Sequence, residues 1–309
     1  MSASNKTSTH TYTPDQRNNS ILININGELF AREDAKVSVF DSAFMLGDGV
    51  WEGLRVHNAK VAFLQIHLDR LYAGAKSLDF HPGVEQATLV ERIHQTLEAN
   101  NMADGVHLRV MVSRGTKSTP YQDPRVTITP PTIVIIPEYK EALPETVEKG
   151  VDLFTVHVRR GFPDVQDPKL NSHSKINCIL ACIQATKAGA DEALMLDPHG
   201  FVATCNSTHF FIVKDDRVIT STGQFCIDGV TRRAVLKICS QEGIASAQTQ
   251  FSLSEVYSAD EAFVTGTFAG LVPVKSVDGR QIGCGSRGPM VKDLQNLYMK
   301  MLEKECSRD

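Results

Sequence analysis

The chain has 309 residues, 42% of them hydrophobic, enough to bury a large core in one or two domains. Its formal net charge of −4 gives no electrostatic reason to expect a nucleic acid or an anionic membrane as partner. Seven scattered cysteines without a CxxC pair, no secretory signal and no apolar run of membrane-spanning length point to a reducing cytosol.

Residues 1–20 are polar and rich in Ser, Thr and Asn, and read as a disordered tail. Residues 21–30 alternate around Asn26-Gly27 and predict a β-hairpin. Strands are expected at 37–40, 53–57, 61–64, 107–113 and 132–137, with helices at 66–77 and 84–99 where apolar residues fall at helical spacing. The proline- and charge-rich stretch ending at Lys149 predicts a linker over 138–149. Beyond it come a strand at 151–159 and a helix at 175–188 closed by Gly189. Three strands follow at 192–196, 201–204 and 210–213. A helix at 231–242, a short helix at 253–258, a strand at 261–265 and a closing helix at 288–303 complete the series. Cys178 and Cys182, four apart on one helix, read as small buried apolar residues. Strands and helices mix without regular βαβ alternation, which predicts α+β domains and not a doubly wound sheet. The expected division is a small α/β domain over 21–137 and a large domain over 150–309.

Two segments have the makings of an anion site. Gly229-Val230-Thr231 opens a predicted helix, where unpaired N–H groups and the Thr231 hydroxyl can cradle a phosphate. The alternative for Thr231 is a plain helix cap. Gly266-Thr267, directly after a strand, adds a second amide and hydroxyl. No metal motif, Ser-His-Asp signature or Walker loop is present.

Between Asp167 and Lys214 the chain reads DPKLNSHSKINCILACIQATKAGADEALMLDPHGFVATCNSTHFFIVK. With GVTR at 229–232 and TGT at 265–267, this resembles the class IV aminotransferases, fold-type IV pyridoxal-phosphate enzymes. That family includes branched-chain and D-amino-acid aminotransferases and aminodeoxychorismate lyase. The resemblance covers roughly Ile21 to Leu302. It implies a two-domain fold-type IV architecture, a homodimer, and pyridoxal 5'-phosphate held mostly by the second domain. Val230, Thr231, Gly266 and Thr267 would bind its phosphate, with Arg70 completing the site. Arg109 and Arg114 would orient substrate carboxylates. Trp51 and Phe44 would line an apolar substrate pocket or serve as core or subunit contacts. Arg159-Arg160 is either a solvated face or extra anion affinity.

Two positions depart from the family pattern. Asn171 stands where the Schiff-base lysine is expected, and asparagine cannot form that bond. If 169–175 is extended, residues 169, 171, 173 and 175 face one way, so Lys175 or Lys169 is a candidate for the missing amine. Neither lysine bonding the cofactor is the third possibility. Thr204 stands where the family has the carboxylate that pairs with the pyridine nitrogen; a hydroxyl cannot stabilise a positive charge there. His209 is structural or part of the cofactor's surroundings. The function implied is amino transfer between a branched-chain or other small α-amino acid and a 2-oxo acid. A lyase or racemase on the same fold, or a non-catalytic pyridoxal-phosphate-binding homologue, is the alternative.

Overall fold

The computed structural model describes residues 8–307. They form two compact units. One gathers Thr13–Glu141, Leu170–Lys175 and the residues from Glu303 on; the other gathers the residues up to Tyr12, Ala142–Lys169 and Ile176–Leu302.

The first unit is built on a six-stranded sheet. Strands β1 (Leu22–Ile25) and β2 (Glu28–Ala31) form the expected hairpin, with Asn26 and Gly27 both at positive φ. They join β3 (Gly49–His57), β4 (Lys60–Val61), β5 (Val106–Ser113) and β6 (Thr132–Tyr139) in the order β2-β1-β6-β5-β3-β4, all antiparallel. The short helix α1 (Ser42–Leu46) precedes β3, while α2 (Leu64–Ser77) and α3 (Gln86–Ala99) pack on the sheet. Period-two alternation turns Val50, Leu54, Leu108, Val110 and Ile135 onto one face, where Leu68, Leu71, Leu89 and Ile93 of the helices meet them. Trp51, Arg55, His107 and Arg109 take the other face by the same alternation.

The second unit carries α4 (Pro144–Lys149), β7 (Val151–Thr155), α5 (Pro163–Gln166), α6 (Ile176–Ala188), β8 (Glu192–Leu196), β9 (Val202–Cys205), β10 (His209–Lys214) and β11 (Arg217–Thr220). After these come α7 (Val230–Glu242), β12 (Ser246–Gln248), α8 (Leu253–Tyr257), β13 (Glu261–Gly266), β14 (Gly270–Val277), β15 (Arg280–Gln281) and α9 (Pro289–Glu305). The sheet order is β12-β11-β10-β13-β14-β7-β8-β9, with β15 paired to β14. Its core is formed by Val151, Leu194, Phe210, Phe251, Val264 and Val274, among others.

Several expectations change. Residues 37–40 make no strand: Asp41 N–H returns to Ser38 O in a turn, and Val37, Val39 and Phe40 are exposed with no partner strand. The stretch 138–149 holds the end of β6 and helix α4 instead of a plain linker, because Pro144 suits the first turn of a helix. Residues 1–7 of the expected tail lie outside the described residues. From Ser8 on the chain instead makes fixed contacts: Thr9 is buried on Glu192, and Asn18 exchanges two hydrogen bonds with Tyr139. Strands β11 and β14 go beyond the expected elements; β11 is only four residues long, and β14 is buried nearly throughout, so it shows no alternation. Among the described residues no helix is long and apolar enough to cross a membrane.

Candidate active site

The six-stranded unit gathers four of the candidate residues on β3 and its neighbours. Residues 171–173 run antiparallel along the start of β3. Trp51 N–H donates to Asn171 O at 3.0 Å, His173 N–H to Gly49 O at 2.9 Å, and Ser172 bridges Val50. Asn171, buried, donates from Nδ2 to Trp51 O at 2.6 Å. Its remaining amide oxygen accepts from Lys175 Nζ at 3.0 Å. The extended run expected over 169–175 is broken by a turn at 168–169 and a bend at His173. Lys175 nevertheless brings its amine back to position 171, whereas Lys169 is exposed and lies on that turn.

Trp51 is the hub of this group. Its indole N–H donates to Ser172 O at 3.1 Å, the Arg109 guanidinium lies 3.8 Å from its ring centroid, and Lys175 Nζ lies 5.4 Å away. Burial pulls the Arg109 pKa below its ordinary value, with Glu138 pulling it back. His173 is pushed down to about 4, first by burial; a Val50 backbone contact opposes this, while the Arg109 charge adds to it. Its imidazole is therefore neutral at pH 7, and Nε2 is buried without a hydrogen-bond partner.

Arg70 sits on the opposite face of β3. Glu52, 1% exposed, accepts from Arg70 Nε at 2.7 Å, from Arg70 Nη2 at 2.6 Å and from His67 Nδ1 at 2.7 Å. Burial alone would raise the Glu52 pKa, but the hydrogen bonds from His67 and Arg70 and the Arg70 charge hold it below its ordinary value. Burial depresses His67 despite Glu52, so a neutral His67 donates to the carboxylate. Arg114 directs its donors to Asp48 and to the carbonyls of Leu78 and Asp79, tying the end of β5 to the turn after α2. Neither Glu52 nor His67 was singled out in sequence, yet Glu52 falls in phase with Val50, Leu54 and Val56. A carboxylate on an apolar strand face signals a buried partner.

The other unit brings the phosphate-type donors together. Gly229 caps α7 with no side-chain cap bond, so the first N–H groups of a 13-residue helix have no capping side chain. His209 pairs with Thr265 in the β10–β13 ladder, and a Cβ on Gly229 would run into the His209 imidazole. Thr208 Cγ2 lies 3.4 Å from where a Gly266 Cβ would stand. The start of α7, the start of β10 and the end of β13 thus converge. Val230 and Thr231 are buried at the helix start, Gly266 ends β13 with Thr267 directly after it, and Thr265 Oγ1 is wholly buried with no hydrogen-bond partner. Helix-end amides without a capping side chain, an orphaned hydroxyl and a cradle that a side chain would fill are what a phosphate dianion requires.

Thr204 is spent differently: its hydroxyl donates to Thr208 O at 2.8 Å. The buried carboxylate nearby is Glu192, missed in sequence, which accepts from Thr9 Oγ1, Ser207 N and Oγ, and Thr208 Oγ1. Arg160 spans Phe225 O, Pro168 O, Asn177 Oδ1 and Cys178 Sγ as an internal brace.

The family model for class IV amino-transferases matches residues 49–277, most of the chain. The chain belongs to the class IV aminotransferases. It is 39% identical over 290 residues to branched-chain-amino-acid aminotransferase-like protein 2 of Arabidopsis thaliana, covering 94% of this chain and 52% of that one. The chain thus spans about half the length of the Arabidopsis relatives it matches. It is 31% identical over 285 residues to a branched-chain-amino-acid aminotransferase of Pseudomonas aeruginosa, covering 90% of this chain and 91% of that one. Among solved structures, a T.th. branched-chain amino acid aminotransferase with pyridoxamine 5'-phosphate superposes with a TM-score of 0.87. It is 29% identical, and the match covers 93% of this chain and 95% of that one. The architecture is therefore fold-type IV, as expected from the sequence motifs.

Proposed function

We propose that the protein is a pyridoxal-phosphate-dependent aminotransferase that moves an amino group between a small α-amino acid and a 2-oxo acid, with Lys175 as its amine. The observation that carries this reading is the 3.0 Å bond from Lys175 Nζ to Asn171 Oδ1: an amine stands beside the position whose residue has lost one. Bound, the cofactor supplies an aldehyde that takes up the amino group and a ring that spreads negative charge. Val230, Thr231, Gly266 and Thr267 would hold its phosphate, whereas Arg70 directs its guanidinium to Glu52 within the six-stranded unit. Arg109 orients the substrate carboxylate, and Trp51 offers an apolar surface. Arg114, with its donors on Asp48 and two carbonyls, serves the scaffold.

A second reading is a lyase or racemase. It is favoured by Thr204, a neutral residue whose hydroxyl is already given to Thr208 O. We further infer a homodimer in a reducing cytoplasm. Ile176, Ile179, Leu180 and Ile183 form an exposed apolar stripe on α6, and the cysteines are free.

Purified protein mixed with pyridoxal phosphate, reduced with borohydride and peptide-mapped tests the assignment. Label on Lys175 and amino-acid-dependent formation of pyridoxamine phosphate support transamination. Label on Lys175 with the aldehyde form retained selects the lyase or racemase. Absence of label on any lysine overturns both.

A further inference from the structure

Position 171 is not merely vacated by a lysine; its amide has a geometry of its own. Nδ2 is committed to Trp51 O at 2.6 Å, and the Asn171 carbonyl accepts Trp51 N–H at 3.0 Å. These bonds fix the amide plane and leave Oδ1 as the atom presented to Lys175 Nζ at 3.0 Å. The Trp51 ring, anchored through Nε1 to Ser172 O, stands 5.4 Å from the same amine.

We propose that Asn171 and Trp51 are positioning residues for the Lys175 amine, holding it in place without fixing its proton. This rests on the reading of Lys175 as the reactive amine. Asparagine accepts a hydrogen bond from an amine and from an ammonium alike. An aspartate of the same shape would bind the ammonium as an ion pair and keep it protonated, and a protonated amine is no nucleophile. The charged groups of this neighbourhood agree. Arg109 on β5, stacked 3.8 Å from Trp51, disfavours a second cation, and His173 between the two residues is neutral. Asp41, which acts on His173, commits its carboxylate elsewhere: it accepts from Ser113 Oγ and from Ala43 N–H. The Trp51 ring face attracts an ammonium far more weakly than a carboxylate does. Asn171 and Trp51 thus restrain the side chain without themselves supplying a full negative charge to hold its proton.

The test begins with the cofactor-free protein. Lysine acylation by a water-soluble acetyl ester is followed at Lys175 by peptide mass spectrometry across pH. Asn171→Asp is expected to move the midpoint of Lys175 labelling upward by about one pH unit or more, the effect of an opposite charge at this distance. Lys169 labelling should not change. An unmoved Lys175 midpoint in a folded Asn171→Asp protein overturns the proposal. Asn171→Leu carries the test if the aspartate does not fold: with pyridoxal phosphate and borohydride, fixation on Lys175 should slow at least tenfold while inorganic phosphate competes as before. An unchanged fixation rate overturns the proposal. Wild-type protein that takes up no cofactor on any lysine sinks the function proposed above, and the acylation midpoint alone then decides whether Asn171 controls the amine.

Discussion

His173 makes the six-stranded unit acid-sensitive in a way that can be isolated. Its pKa is about 4 in the folded chain against an ordinary 6.5, chiefly because the ring is buried. The folded state therefore resists protonation that the unfolded chain accepts. The contribution is fully present above about pH 6.5, is lost as pH falls toward 4, and changes no further below that. At about 1.36 kcal/mol for each pH unit between the two values, the whole effect amounts to about 3 kcal/mol, a sizeable part of a domain's stability. Urea unfolding of wild type and His173→Gln between pH 7.5 and 4.5 measures it. The variant costs stability at neutral pH, but its loss on acidification should be shallower by about 2–3 kcal/mol. Parallel acid profiles for the two proteins would refute the reasoning. So would an NMR titration of the His173 ring with a midpoint near its ordinary 6.5.

Glu52→Gln removes the negative charge that receives Arg70 and His67, and should cost about 3–5 kcal/mol in chemical denaturation by breaking a buried ion pair. Gly229→Ala should lower the melting temperature through overpacking of about 1–3 kcal/mol against His209; if Gly229 opens a phosphate site as proposed, added phosphate should stabilise the wild type and not the variant. Glu261→Ala withdraws the carboxylate that accepts from Met290 and Val291 N–H at the start of α9. About 1–2 kcal/mol of stability should go with it, read from urea midpoints.

Much of the fold was legible because its signals are local. Asn26-Gly27 can only turn, the alternation through β3 and β5 fixes a two-faced strand, and Gly243 ends α7 in the left-handed conformation. Strand β14 was missed because it is buried nearly throughout and contains Pro273, so its sequence shows no alternation. The donor cluster proposed to hold a phosphate was readable as two glycine-hydroxyl segments beside predicted elements. Its completeness was not, since Thr265 carries no sequence mark that its hydroxyl lacks a partner. Asn171 and Thr204 were visible as substitutions. What each does depends on where Lys175 and Thr208 O lie, which only the folded backbone determines.

The six residues Leu170–Lys175 belong to the unit whose other strands were completed by Glu141, and the residues from Glu303 return to it again. Along β3, Gly49 and Trp51 wait for partners 120 or more positions downstream. On the ribosome, the six-stranded sheet can therefore assemble early, but the outer edge at the start of β3 stays open until residue 175 has emerged. The order of synthesis makes the carrier of the amine a late addition to a finished scaffold, and any attempt to express Thr13–Glu141 alone would leave that edge bare.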